Sequence, residues 1–336
     1  MSNPTKPFAV LGAGSWGTAL AMQLARAGHD TLLWSHDPEH VNQMRAERSN
    51  QRYLPGIPFP DKLIPSDDLQ QCVHDARDIL IVVPSHAFRE TLHAIKPLLR
   101  DDQRLAWGTK GLEQGTRKLL HQIVREELGI TIPIAAVSGP TFAKEVARDL
   151  PGAITVASKD QEFAKQLATA LHSDNFLAYT SEDIIGVEIG GAAKNVMAIA
   201  AGIADGMGFG TNTLAALITR GLNEIMHLGV ALGGHRETFM GLSGLGDLVL
   251  TCSDNQSRNR RFGQALGLGK DLEQAKQEIA QVIEGIGSAK TIYYLAQDHQ
   301  VSMPITEQVY KVLYEGRSPK DAVHTLLNRT PKPELQ

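Results

Sequence analysis

The 336-residue chain has a formal charge of −4, with 42% hydrophobic and 21% charged side chains. That length exceeds what a single core usually sustains, so two domains are expected, and the weakly acidic balance offers no basic field for nucleic acid or for an anionic membrane. The two cysteines, Cys72 and Cys252, stand far apart and outside any C-x-x-C pattern, which fits a reducing cytoplasm better than a disulfide scaffold.

Met1–Pro7 lacks the apolar centre of a signal peptide, and no uninterrupted apolar run reaches the roughly 18 residues of a bilayer span, so no membrane insertion is expected. Phe8–Leu11 reads as a strand and runs straight into Gly12, Gly14 and Gly17 in G-x-G-x-x-G spacing, followed by an amphipathic helix. In that context each glycine has a task. Gly12 permits the tight turn, Gly14 lets the backbone approach a pyrophosphate at the helix N-terminus, and Gly17 allows close helix–strand packing. The motif predicts a dinucleotide site, with Ser15 and Trp16 inside it.

The next strand, Thr31–Trp34, is followed by Ser35-His36-Asp37, where an NAD-selective site would place a ribose-gripping carboxylate at the strand end. A serine hydroxyl and an imidazole at that end can accept a 2′-phosphate, and Arg45 or Arg48 from the following helix would reinforce it; the same residues also suit a simple Asp-Pro turn. Further strands are expected at 79–83, 105–107, 134–137 and 153–157, with helices between them. This alternation predicts an α/β, doubly wound, mostly parallel sheet with its ligand crevice at the carboxyl ends of the strands.

Ser85 and His86 follow one strand beside the expected pyrophosphate, Thr109 and Lys110 follow another, and Gly139, Thr141 and Ala143 a third. Strand-end loops favour ligand contacts, and backbone N–H groups near Thr141 suit a small polar ligand. A lysine or histidine in such a loop is equally ordinary surface chemistry.

From residue 190 the texture becomes helical, with helices expected at 192–204, 211–228, 272–281, 288–297 and 305–314, separated by glycine-rich joints. Residues 1–189 are therefore expected to form the dinucleotide domain and 190–336 a helical substrate and catalytic domain, ending in a frayed polar tail over 328–336. Lys194 lies in an Ala-rich helix where burial would lower its pKa towards neutrality, fitting it for proton exchange, and Asn195 beside it is a neutral donor. Asp247 is expected to orient Lys194, near Thr251. In Ser257-Arg-Asn-Arg-Arg261, Arg258 can fork two donors onto a phosphate with Ser257 and Asn259 assisting, although such a cluster also suits a solvated helix start. No histidine or cysteine spacing resembles a metal site.

Gly-Ala-Gly-Ser-Trp-Gly at 12–17, Gly-Thr-Lys-Gly at 108–111, Ser-Gly-Pro-Thr-Phe-Ala at 138–143, Gly-Gly-Ala-Ala-Lys-Asn at 190–195, Gly-Leu-Gly-Asp at 244–247 and Ser-Arg-Asn-Arg at 257–260 together resemble the bacterial NAD(P)-dependent glycerol-3-phosphate dehydrogenases. The resemblance covers essentially the whole chain. It implies interconversion of dihydroxyacetone phosphate and sn-glycerol 3-phosphate with NADPH or NADH and no metal, in service of phospholipid synthesis. It also implies a Rossmann-type domain followed by a helical domain resembling the C-terminal domain of 6-phosphogluconate dehydrogenase.

By the same resemblance Lys194 is the proton donor and acceptor, and Lys110 meets substrate near the nicotinamide. Asn195, Asp247 and Thr251 fall at active-site positions, and Arg258 and Asn259 at phosphate-binding ones. Ser15, Trp16, Ala143, Arg258, Val282 and Glu284 match cofactor contacts. Ser35 and His36 depart from the arginine often found there in this family, which leaves the strength of 2′-phosphate recognition open. The glycine-rich helical joints suit a homodimer without identifying its interface. Two other readings stay open: a related β-hydroxyacid dehydrogenase favouring a carboxylate substrate, and a redox-sensing protein that binds NAD(P) without turnover.

Overall fold

The computed structural model describes residues 6–129, 132–279 and 281–328. Most of the expected polar tail lies outside them. Eight strands form one sheet: β1 (Phe8–Leu11), β2 (Thr31–Trp34), β3 (Leu63–Ser66), β4 (Asp78–Ile81), β5 (Arg104–Trp107), β6 (Ile134–Ser138), β7 (Gly152–Ala157) and β8 (Phe176–Ser181). Their spatial order is β3-β2-β1-β4-β5-β6-β7-β8, parallel throughout except for the antiparallel β6–β7 pair. Helices α1 (Ser15–Arg26), α2 (Pro38–Glu47), α3 (Leu69–Asp75), α4 (Phe88–Ile95), α5 (Leu120–Leu128), α6 (Ala143–Ala147) and α7 (Gln161–Leu171) connect them.

Alternation along the strands builds two cores, one on each face of the sheet. Val10 and Leu80 pack with α1 and α7 side chains such as Leu20 and Leu167, whereas Ala9, Leu11, Ile79 and Ile81 pack with Val73, Phe88 and Ile123 from α3, α4 and α5. Reversal of the strand sequence beside β1 leaves a crevice between β1 and β4 at their carboxyl ends.

The strands β3 and β8, not expected from sequence, are the two edges of the sheet. Pro65 within β3 donates no ladder hydrogen bond, as an edge position tolerates, while β8 exposes Leu177 and Tyr179 and lacks a clean buried face.

Beyond the sheet come α8 (Ile184–Gly206), α9 (Thr211–Ala231), α10 (Arg236–Phe239), α11 (Asp247–Ser253), α12 (Arg258–Gly267), α13 (Leu272–Ile279), α14 (Glu284–Asp298), α15 (Pro304–Tyr314) and α16 (Pro319–Leu327). The helix expected from Ala192 starts at Ile184, capped by Asp183 whose Oδ1 accepts from Gly186 N at 2.8 Å, so a division between 189 and 190 falls inside it. By length and composition α8 could cross a bilayer, but 94% of its most apolar window is buried within the fold, as for a core helix.

The two parts share buried ties. Glu188 on α8 accepts from His121 N at 2.9 Å and pairs with His121 Nδ1 at 2.6 Å at the start of α5. Leu112 and Leu119, from the connection after β5, enter the core of the helical part.

Candidate active site

A cleft of about 1380 Å³ runs between the carboxyl ends of the strands and the helical part. Gly12, Gly14, Ser15, Trp16, Ser35, His36, Lys110, Thr141, Ala143, Lys194, Asn195, Thr251, Ser257, Arg258, Asn259, Val282 and Glu284 all line it. Three of the expected site residues, Gly17, Gly139 and Asp247, do not reach its surface but support it.

At one end the cleft fits a dinucleotide. Gly12 adopts φ +119°, and a Cβ there would lie 2.7 Å from the Val82 carbonyl oxygen, so the turn needs glycine on both counts. Gly17 lets α1 close on that turn. Space beside Gly14 is open, and α1 begins there without a side-chain cap, which leaves its first-turn N–H groups available to an anionic pyrophosphate. Ser15 Oγ donates to the Tyr53 carbonyl at 3.1 Å and Trp16 Nε1 to the Gly108 carbonyl at 3.1 Å, fixing the walls on either side.

Arg45 and Arg48 do not reinforce this end as expected. Arg45 bonds to the Pro65 carbonyl and to Asp67, and Arg48 to the carbonyls of Leu63 and Pro60, tying α2 to the sheet edge instead. His86 is exposed in the turn Ser85–Ala87 and does not line the cleft. Sequence reading missed Arg52 and Tyr53, which do line it.

The chemistry concentrates at the other end. Asp247, 1% exposed, holds two lysines with one carboxylate: Lys194 donates to Oδ1, and Lys110 donates to Oδ2 at 2.9 Å and to the Gly139 carbonyl at 3.2 Å. Small residues make that convergence possible. A Cβ on Gly190 would lie 2.3 Å from the Ser243 carbonyl oxygen, so α8 can press against the π-helical turn Leu242–Gly246 that presents Asp247 only because this position lacks one.

Lys194 is 7% exposed, and loss of water pushes its ammonium down to about 7; the Asp247 charge opposes the shift and the Lys110 charge adds to it. Lys110 also lies 5.7 Å from the Trp16 ring centroid, linking the lysine pair to the glycine-rich turn. Thr251 Oγ1 donates to the Asp247 backbone carbonyl at 2.6 Å.

Asn259 Nδ2 donates to Asn195 Oδ1 at 3.0 Å while its Oδ1 accepts from Gly285 N at 2.9 Å, so α8, α12 and α14 meet through one amide. The arginines of α12 divide by environment. Arg260 is consumed by the Cys252 carbonyl, Asn255 and Asp205, whereas Arg258 and Arg261 line the cleft. Ser257 caps α12 by accepting from Arg260 N at 3.2 Å. Burial raises the pKa of Glu284, countered by Arg258 and the two lysines. Thr141 Oγ1 donates to the Gly139 carbonyl at 3.2 Å, and Ala143 opens α6. Among the described residues, no three His, Cys, Asp or Glu side chains converge as metal ligands.

A glycine-rich turn at a Rossmann-type crevice with a buried lysine facing the same cleft fits a nicotinamide-dependent dehydrogenase, the class that this fold and cleft define. Models described as the N-terminus and C-terminus of NAD-dependent glycerol-3-phosphate dehydrogenase match residues 7–164 and 183–324. The chain belongs to the glycerol-3-phosphate dehydrogenase family.

It is 55% identical over 331 residues to the glycerol-3-phosphate dehydrogenase (NAD(P)+) of Shewanella halifaxensis, covering 98% of each chain. The solved glycerol-3-phosphate dehydrogenase of Coxiella burnetii superposes with a TM-score of 0.93 at 51% identity, covering 97% of this chain and 99% of that one. That of Saccharomyces cerevisiae superposes with a TM-score of 0.83 at 28% identity over 96% and 99% of the respective chains.

Proposed function

We propose that the chain interconverts dihydroxyacetone phosphate and sn-glycerol 3-phosphate with NADPH or NADH, in the cytoplasm and as a homodimer, providing the glycerol phosphate used in phospholipid synthesis. The domains divide near Ser181–Ile184, with the dinucleotide on the sheet side and the substrate on the helical side. One observation carries the reading: a single buried carboxylate holds Lys194 and Lys110 together in the same cleft that Arg258 lines.

The nicotinamide, when bound, supplies or accepts the hydride. In the reductive direction Lys194 donates its proton to the carbonyl oxygen as that oxygen gains negative charge, and Lys110 with Asn195 offsets the charge. Asp247 keeps both ammonium groups aimed at one point. Arg258 forks onto the substrate phosphate, with Ser257 and Asn259 supplying neutral donors, and the groups lining the cleft from both sides exclude water when it closes.

The test is a substrate panel. Purified protein is expected to oxidise NADPH with dihydroxyacetone phosphate far faster than with short carboxylate keto acids. A keto acid as best substrate would favour the β-hydroxyacid reading, and no turnover with any ketone would favour binding without catalysis.

A further inference from the structure

The adenosine end of the cleft contains a cation that the strand-end pattern does not announce. We infer that Arg52, from the turn after α2, supplies the 2′-phosphate contact that makes NADPH the preferred cofactor. The inference rests on the dinucleotide reading of the cleft but not on the identity of the ketone.

Asp37 is the carboxylate nearest the end of β2, where an acidic side chain favours a free ribose hydroxyl, and its oxygens are already engaged. Its Oδ1 accepts from Glu39 N and His40 N at 3.1 Å each, capping α2, and its Oδ2 accepts from Arg52 Nη1 at 2.9 Å. Those hydrogen bonds, that of His40 foremost, hold its carboxyl below the usual range, so it stays ionised and keeps Arg52 in place.

Arg52 is built into the turn at its base and open at its head. Buried Asn50 accepts from Tyr53 N at 3.2 Å and donates to the Ala13 carbonyl at 3.0 Å and to Thr18 Oγ1 at 2.8 Å, which fastens the turn to the glycine-rich loop and α1. The Arg52 side chain is 55% exposed, with its guanidinium carbon 5.4 Å from the Tyr53 ring centroid, on the cleft wall shared with Ser35 and His36. One guanidinium nitrogen on Asp37 leaves the remaining N–H donors for a phosphate, and His36 and the Ser35 hydroxyl add donors from the strand end. Arg45 and Arg48, the other cations of this segment, are turned to the sheet edge and cannot substitute.

Calorimetric titration of the whole protein with adenosine 2′,5′-bisphosphate and with adenosine 5′-monophosphate separates the 2′-phosphate contribution from everything at the substrate end. The wild type is expected to bind the bisphosphate roughly tenfold or more tightly than the monophosphate, as a charge-assisted fork allows. Arg52→Ala removes most of that difference while leaving monophosphate binding unchanged, and Arg52→Lys retains part of it. The ratio of kcat/KM for NADPH over NADH moves in the same directions. Equal loss of both ligands in Arg52→Ala would make the residue a structural one, and an unchanged preference would overturn the assignment. Neither result depends on which ketone is reduced.

Discussion

Replacing Lys194 with alanine is expected to lower kcat for ketone reduction by roughly two to four orders of magnitude, the usual contribution of a positioned acid–base group, while NADPH binding stays near wild type. The separation follows from its ties: Lys194 lies on α8 and donates to Asp247, whereas the free first-turn N–H groups that would meet the pyrophosphate belong to α1. The wild-type pH profile provides an independent signature. With the ammonium pushed down to about 7, the protonated form needed for reduction is depleted as pH rises above that value, so kcat for reduction falls there. The reverse reaction needs the neutral amine, so its kcat rises over the same interval. Because two lysines share Asp247, the observed midpoint belongs to the cluster. Rates measured in both directions across pH check this; near-normal turnover in Lys194→Ala, with an unaltered profile, would move the proton transfer to another group.

Arg258→Ala should shrink the kcat/KM preference for dihydroxyacetone phosphate over dihydroxyacetone by more than tenfold, an effect of roughly 1.4 kcal/mol or greater. Of the arginines at the start of α12, Arg260 is spent on the Cys252 carbonyl and Asp205, while Arg258 and Arg261 line the cleft, Arg258 directly between Ser257 and Asn259 in the chain. Lys110 cannot replace the fork, since it is a single cationic centre bound to Asp247 and the Gly139 carbonyl. Part of the loss will fall on NADPH affinity if Arg258 serves both ligands, and kinetics at several NADPH concentrations divide the two. An unchanged phosphate preference throughout would remove Arg258 from the phosphate site.

What was legible in the sequence was local. The β1–Gly12–α1 unit combines a strand, a turn that needs glycine and a helix start within a few residues, and its geometry follows from them. Burial of Lys194 was readable because its helix is apolar on every side, and its partnership with Asp247 was anticipated. The edge strands β3 and β8 were not readable, because an edge requires neither a continuous apolar run nor a full set of donors.

Long-range choices were equally hidden. Arg45, Arg48 and Arg260 resemble their site-facing neighbours as residue types, and only the fold decides that they are spent on backbone carbonyls and, for Arg45 and Arg260, on acidic or amide side chains as well. Arg52 escaped notice because it reaches the cleft from a turn that Asn50 folds back onto α1, a contact no helix or strand period encodes. That Asp247 holds Lys110 as well as Lys194 required two strand-end loops and two helices to be assembled first.

The most direct measurement is steady-state NADPH oxidation by the unmodified protein with dihydroxyacetone phosphate and, in parallel, with dihydroxyacetone. These ketones share the reacting carbonyl and differ in the phosphate, so their ratio reports whether lysine chemistry and a phosphate clamp operate in one cleft. A kcat/KM for dihydroxyacetone phosphate at least roughly two orders of magnitude above that for dihydroxyacetone is expected from a desolvated, charge-assisted phosphate contact. Equal efficiency on the two ketones would contradict it.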